Sequence, residues 1–239
     1  MRFFLSAIAF LVPLSMARAD PIRLIYFELP PLAEDRQGEA RGPAVDLLRT
    51  LTEGLPVSAE VMKMPVKRAE HTLQTEPSIA IGLARIKRRE AMGLVWVSEL
   101  YHGNYYFVTM RGHPPVRTAA DAAKVDRIAC NLGSAPAEIL EKLKVTNVEY
   151  ASELRQQASK LHAGRVDAWF DRALFITGVW RSLGYDPADL SWSDPIDGPS
   201  LWIAASPKVP ADIVEAIRKR FAALKDQGKL DPVFSDPFH

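Results

Sequence analysis

Short apolar runs and helix-spaced apolar faces take turns along most of this chain. That alternation predicts strands and helices in series, an α/β architecture with mainly parallel sheets. Residues 22–27 read as a short strand ending in the turn Glu28-Leu29-Pro30-Pro31, and 45–55 as a helix with Val45, Leu48 and Leu51 on one face. A second strand is expected over 57–62, a helix over 66–74 after Pro65, and a third strand over 79–83. Two further extended runs, 94–97 and 105–110, lead to Gly112-His113-Pro114-Pro115, which reads as a boundary.

A second series begins after it. Strands are expected over 127–131, 148–150 and 166–170, and helices over 135–143, 153–162 and 174–183, the last closed by Gly184. A strand over 201–205 and a long amphipathic helix over 211–227, ended by Gly228, have no sheet of their own. The simplest solution returns them to the first unit. This gives lobe 1 as residues 20–110 and 200–239 and lobe 2 as 111–199, joined by two crossing segments. A cleft between two such lobes is where small ligands bind, and hinge closure is the motion it permits.

The first residues carry a different signal. Arg2 is followed by an almost unbroken apolar run from Phe3 to Met16, and Ala17-Arg18-Ala19 then offers small residues at the positions a signal peptidase reads. The run is shorter than the roughly 20 residues that span a bilayer, and Pro13 interrupts it. The expectation is an exported, periplasmic protein cleaved after Ala19. Cleavage removes Arg2 and Arg18 and no acid, so the net charge of +1 becomes −1. Such balance gives no reason to expect nucleic acid or an anionic membrane as partner. Cys130 is the only cysteine, excludes an internal disulfide and reads as a buried strand residue. His71, His102, His113, His162 and His239 are scattered without metal-ligand spacing, and no nucleophile elbow, phosphate loop or dinucleotide fingerprint is present. No cofactor or metal is expected.

Several segments, in order, resemble the family 3 solute-binding proteins, the polar amino-acid receptors of ABC transporters. They are Glu28-Leu29-Pro30-Pro31, Gly42-Pro43-Ala44-Val45-Asp46-Leu47-Leu48 and Pro65-Val66-Lys67-Arg68-Ala69. Ala84-Arg85-Ile86-Lys87-Arg88-Arg89-Glu90 with Trp96-Val97 follows, then Gly133-Ser134, Leu161-His162-Ala163-Gly164-Arg165-Val166-Asp167-Ala168 and the closing Leu224-Lys225-Asp226-Gln227-Gly228. The resemblance implies a type II periplasmic-binding fold, a monomer, and delivery of a small carboxylate-bearing solute, such as an amino acid, to a permease in the inner membrane.

It also implies a site. Arg89 matches the arginine that clamps the ligand carboxylate, a task for which a planar, permanently charged fork is suited. Where the family places an acid for the ligand ammonium, eight residues after Gly164, this chain has Arg172, with Asp171 one residue earlier. Either can face the cleft, and Arg172 with Arg89 suits a ligand carrying two acidic groups. Gly133-Ser134 offers a hydroxyl and backbone N–H groups at a helix start, as anion holder or as simple cap. Glu28, Arg85 and Arg68 are further candidates, each with a purely structural alternative. The family's aromatic stacking position is Leu29, so Phe27 or Tyr26 is the substitute. Two other functions stay open: a cyclohexadienyl dehydratase-like enzyme with Glu28 as acid, and a receptor for a non-transport system.

Overall fold

The computed structural model describes residues 22–55, 59–230 and 234. The leader, its cleavage site and Val57 lie outside the described residues. Strand β1 (Ile22–Tyr26) is followed by a hairpin of β2 (Glu34–Arg36) and β3 (Glu39–Arg41), helix α1 (Pro43–Thr52) and β4 (Ala59–Lys63). Helix α2 (Val66–Thr75), β5 (Ser78–Ala84), the short α3 (Lys87–Glu90) and β6 (Val95–Tyr101) complete the first series. The second contains β7 (Tyr105–Met110), α4 (Ala119–Ala122), β8 (Ile128–Asn131), α5 (Ala135–Lys142), β9 (Val148–Ala151) and α6 (Leu154–His162). It ends with β10 (Ala168–Arg172), α7 (Ala173–Ser182) and β11 (Leu190–Trp192), before β12 (Leu201–Ala205) and α8 (Ala211–Asp226).

The strands form two five-stranded sheets, β4-β1-β5-β12-β6 and β11-β7-β10-β8-β9. Each has a parallel core: β1 pairs with β4 and β5, and β8 with β9 and β10. Each also carries one strand that runs against the rest, β12 between β5 and β6 in the first sheet and β7 between β10 and β11 in the second. The return of β12 to the first sheet matches expectation. The entry into the second sheet does not: β7, expected in lobe 1, pairs with β10 and β11, so the chain crosses between Tyr101 and Tyr105 rather than at Gly112. Gly112 sits in an ordinary turn after β7, while the crossing residues His102-Gly103-Asn104 are too few to show a linker composition.

Burial explains why the elements were readable. Val45, Leu48 and Leu51 of α1 are fully buried, and six of the seven residues of β5 are buried, as a strand covered on both faces must be. The hairpin was not readable, because β2 and β3 contain only Glu, Asp, Arg and Ala, residue types poor in strand propensity. Its turn supplies the pairing instead: Gln37 (φ 59°) and Gly38 (φ 84°) give the two positive φ angles of a tight hairpin turn.

Gly42 holds the start of α1 against the chain after β1. Its φ of 114° and ψ of 160° lie in a region open essentially to glycine, and a Cβ there would sit 2.5 Å from the Leu32 carbonyl oxygen. Gly42→Ala is expected to lower stability by about 2–3 kcal/mol, read as a fall in the urea midpoint at unchanged slope.

Candidate functional site

In open parallel sheets the carboxyl ends of the strands, and the helix starts that follow them, converge on a crevice. Here both lobes aim such ends at one another. The cavity between them takes Phe27 and Leu29 from the end of β1, Gly82 to Ala84 from the end of β5, and Val66 from the start of α2. Arg89 in α3 and Leu201 complete the first-lobe wall. The second lobe contributes Asn131 at the end of β8, Ser134, Ala135 and Pro136 at the start of α5, and Leu154 at the start of α6. Asp171 and Arg172 at the end of β10, with Phe175 in α7, close it. The cavity measures about 60 Å³, several water-sized positions, so it suits a small solute and not a peptide.

Arg89 is almost completely buried, with 2% exposure. Its Nε donates to Glu70 Oε1 at 2.7 Å, Nη1 to the Ala84 carbonyl at 2.9 Å and Nη2 to the Gly133 carbonyl at 3.3 Å. Three of the five N–H groups are thereby occupied and the fork is locked in orientation. Arg88 beside it crosses the cleft. It donates to Glu70 at 2.9 Å within its own lobe, and to Glu138 at 2.8 Å and the Gly133 carbonyl at 2.7 Å in the other. Burial would raise the Glu70 carboxyl, but hydrogen bonds from Arg88 and Arg89 outweigh it and hold the group below its usual range. Burial, only partly opposed by Glu70, lowers the affinity of Arg89 for its proton. Arg155 to Glu34 at 3.3 Å is a second ion pair between the lobes, which are therefore closed on each other.

Asp171 and Arg172 both line the cavity, although neighbours on a strand normally face opposite ways. The reason is position: Arg172 is the last residue of β10 and the cap of α7, where the chain turns. Asp171 Oδ1 accepts from the Arg172 amide at 2.8 Å. The Arg172 guanidinium donates to the Pro199 carbonyl and lies 4.3 Å over the ring of Tyr105, whose hydroxyl donates to the same carbonyl at 3.1 Å.

Burial pushes the Asp171 carboxyl up to about 6, against the smaller lowering effects of the Arg172 amide and guanidinium. A carboxyl with a raised folded-state pKa binds its proton more tightly in the native chain. Its ionisation thus costs stability above about pH 6, and the cost fades as the pH falls toward the unfolded value near 4. Asp171→Asn is expected to stabilise the ligand-free protein by roughly 2–3 kcal/mol at pH 7.5 and by only about 1 kcal/mol at pH 4.5. Paired urea melts of the two proteins check this.

Of the residues expected at the site, Arg89, Ser134, Asp171, Arg172 and Phe27 meet in the cavity. Ser134 caps α5, accepting from Ala137, and donates its hydroxyl proton to the Asn131 carbonyl. Three others lie elsewhere. Glu28 pairs with Lys63 at 3.4 Å and accepts from the Asp35 amide. Arg85 stacks over Trp202 at 4.9 Å and Trp96 at 5.5 Å and pairs with Glu90. Arg68 is exposed in the first turn of α2. Tyr26 is buried within the core rather than at the cavity, and Phe27 and Phe175 are the aromatic walls. Sequence reasoning missed Glu70, Tyr105 and Phe175. Tyr105 and Phe175 were visible only as apolar positions, and no local pattern singles out Glu70.

No protein-family model matches the chain, and no curated protein does. Solved structures do. An ancestral arginine-binding protein bound to arginine superposes with a TM-score of 0.76 at 18% identity, over 90% of this chain and 97% of that one. This chain has the type II periplasmic-binding fold. The same fold carries the substrate-binding protein of an amino acid ABC transporter, with a TM-score of 0.74 at 18% identity over 90% and 97% of the chains. A Streptococcus mutans structure, described for glutathione import via GshT and the cystine ABC importer TcyBC, reaches 0.78 at 14% identity over 90% and 93%. Within the type II periplasmic-binding fold, the cavity of this chain occupies the gap between the lobes.

Proposed function

We propose that this protein is a periplasmic solute receptor of the family 3 type, which closes on a small carboxylate-bearing solute and delivers it to an ABC-transporter permease. The observation that carries the reading is the buried Arg89 fork at the wall of an interlobe cavity, fixed by Glu70 and two carbonyl groups. A guanidinium so fixed, with N–H groups to spare, meets a carboxylate with little entropic loss. Support comes also from the fold shared with amino-acid-binding proteins and from the exported leader read at the N-terminus. The receptor acts as a monomer. The dehydratase alternative asks for an acid at Glu28, whose carboxylate is engaged by Lys63 away from the cavity.

A thermal-shift series on the refolded protein, stripped of carried-over solute, tests the reading. A true ligand at a hundredfold excess over its Kd adds about 2.7 kcal/mol of stability. A shift that grows with the logarithm of carboxylate concentration supports the receptor. Flat curves for every amino acid, monoacid and diacid tried would sink it.

A further inference from the structure

Arg172 stands apart among the described residues that line the cavity. Its exposure is 2%, yet no carboxylate lies within ion-pair distance of its guanidinium among the described residues. Its Nη2 is used by the Pro199 carbonyl, and the rings of Tyr105 and Phe175 lie 4.3 and 6.0 Å from the guanidinium carbon. Its Nε is buried without any hydrogen-bond partner. An arginine does not shed its proton, so this charge persists inside the closed cleft, where an unpaired ion is costly. Arg89 is different. Its charge is matched by Glu70, and with Arg88 and Glu138 these groups form a neutral quartet.

We propose that Arg172 receives a second acidic group of the ligand, so that the cleft selects a small diacid spanning from Arg89 in the first lobe to Arg172 in the second. The inference rests on the reading of Arg89 as a carboxylate clamp. It gives the ligand a mechanical role, since its two ends hold opposite lobes and its length is limited by a cavity of about 60 Å³. Asp171 on the same wall divides the class in two. An amino-diacid sets its ammonium against the ionised carboxylate, whereas a plain diacid is matched by the protonated form.

Calorimetric titration of the refolded protein with aspartate, glutamate, succinate and glutarate, each beside its monoacid analogue of equal chain length, provides the test. At least one diacid is expected to bind about tenfold or more tightly than its analogue, and Arg172→Met to bring that ratio within about threefold. Arg172→Lys, which keeps the charge and loses the fork, is expected to fall between, and decides the matter with the wild-type ratio if Arg172→Met does not fold. Lowering the pH from 7.5 to 5 weakens an amino-diacid and strengthens a plain one. Monoacids binding as tightly as diacids overturn the second acid site and leave the carboxylate receptor standing; no binding across the panel overturns both.

Discussion

Arg89→Ala is expected to reduce ligand affinity by at least about a hundredfold and to cost the ligand-free protein about 3–5 kcal/mol. Two losses combine. The ligand carboxylate loses its clamp, and the carbonyl groups of Ala84 and Gly133 lose a donor inside a closed cleft. Glu70 keeps Arg88, so its carboxylate is not left alone, which places the stability cost toward the lower end of that range. Arg89→Lys separates the two effects. It retains the charge beside Glu70 but cannot reach two carbonyls and a carboxylate at once, so stability recovers more than affinity. Urea melts without ligand and titrations with it read the two quantities independently. Equal losses of both in Arg89→Lys would make Arg89 a structural residue.

Gly178→Ala is expected to oppose closure without weakening the ligand-free protein. Gly178 lies within α7 of the second lobe, and its Cα faces the Pro30-Pro31 turn of the first. A Cβ there would run into Pro31 Cδ and stand 2.8 Å from Pro31 N and 3.0 Å from the Pro30 carbonyl oxygen. A proline ring and backbone cannot swing aside, so the lobes must part. The apparent Kd rises in inverse proportion to the fraction of molecules still able to close, and a tenfold to hundredfold weakening is expected. Ligand-free stability moves the other way, by up to about 1 kcal/mol upward, because alanine suits a helix interior better than glycine. Small-angle scattering with saturating ligand checks the geometry: the variant should keep the larger radius of its ligand-free form. Compaction equal to wild type would remove the contact from the closing mechanism.

Much of this molecule was legible in its residues because burial and periodicity are local signals. The sequence boundaries of β7 and β12 coincide with the structure, since each is an apolar run bounded by polar or turn residues. Arg89 was legible through its surrounding motif. Glu28 was drawn to the site by its turn after the first strand, Arg68 by its place at a helix start and Arg85 by the Arg89 motif, and in each case another environment claims the side chain: Lys63 for Glu28, two indole rings for Arg85, solvent for Arg68. A charged side chain goes to whatever compensates it best, and that choice depends on neighbours distant in sequence.

The α/β alternation and the apolar faces of the helices were readable from the residues alone, because they are patterns within a few dozen residues, where the hydrophobic effect and backbone geometry act locally. The folded arrangement alone shows that β7 belongs to the second sheet, that Arg88 and Arg89 reach Glu138 and the Gly133 carbonyl across the cleft, and that Asp171 and Arg172 share one cavity. These outcomes depend on which strand edges meet and how the two lobes close, and pairing between residues far apart in the chain leaves no periodic trace in the residues themselves.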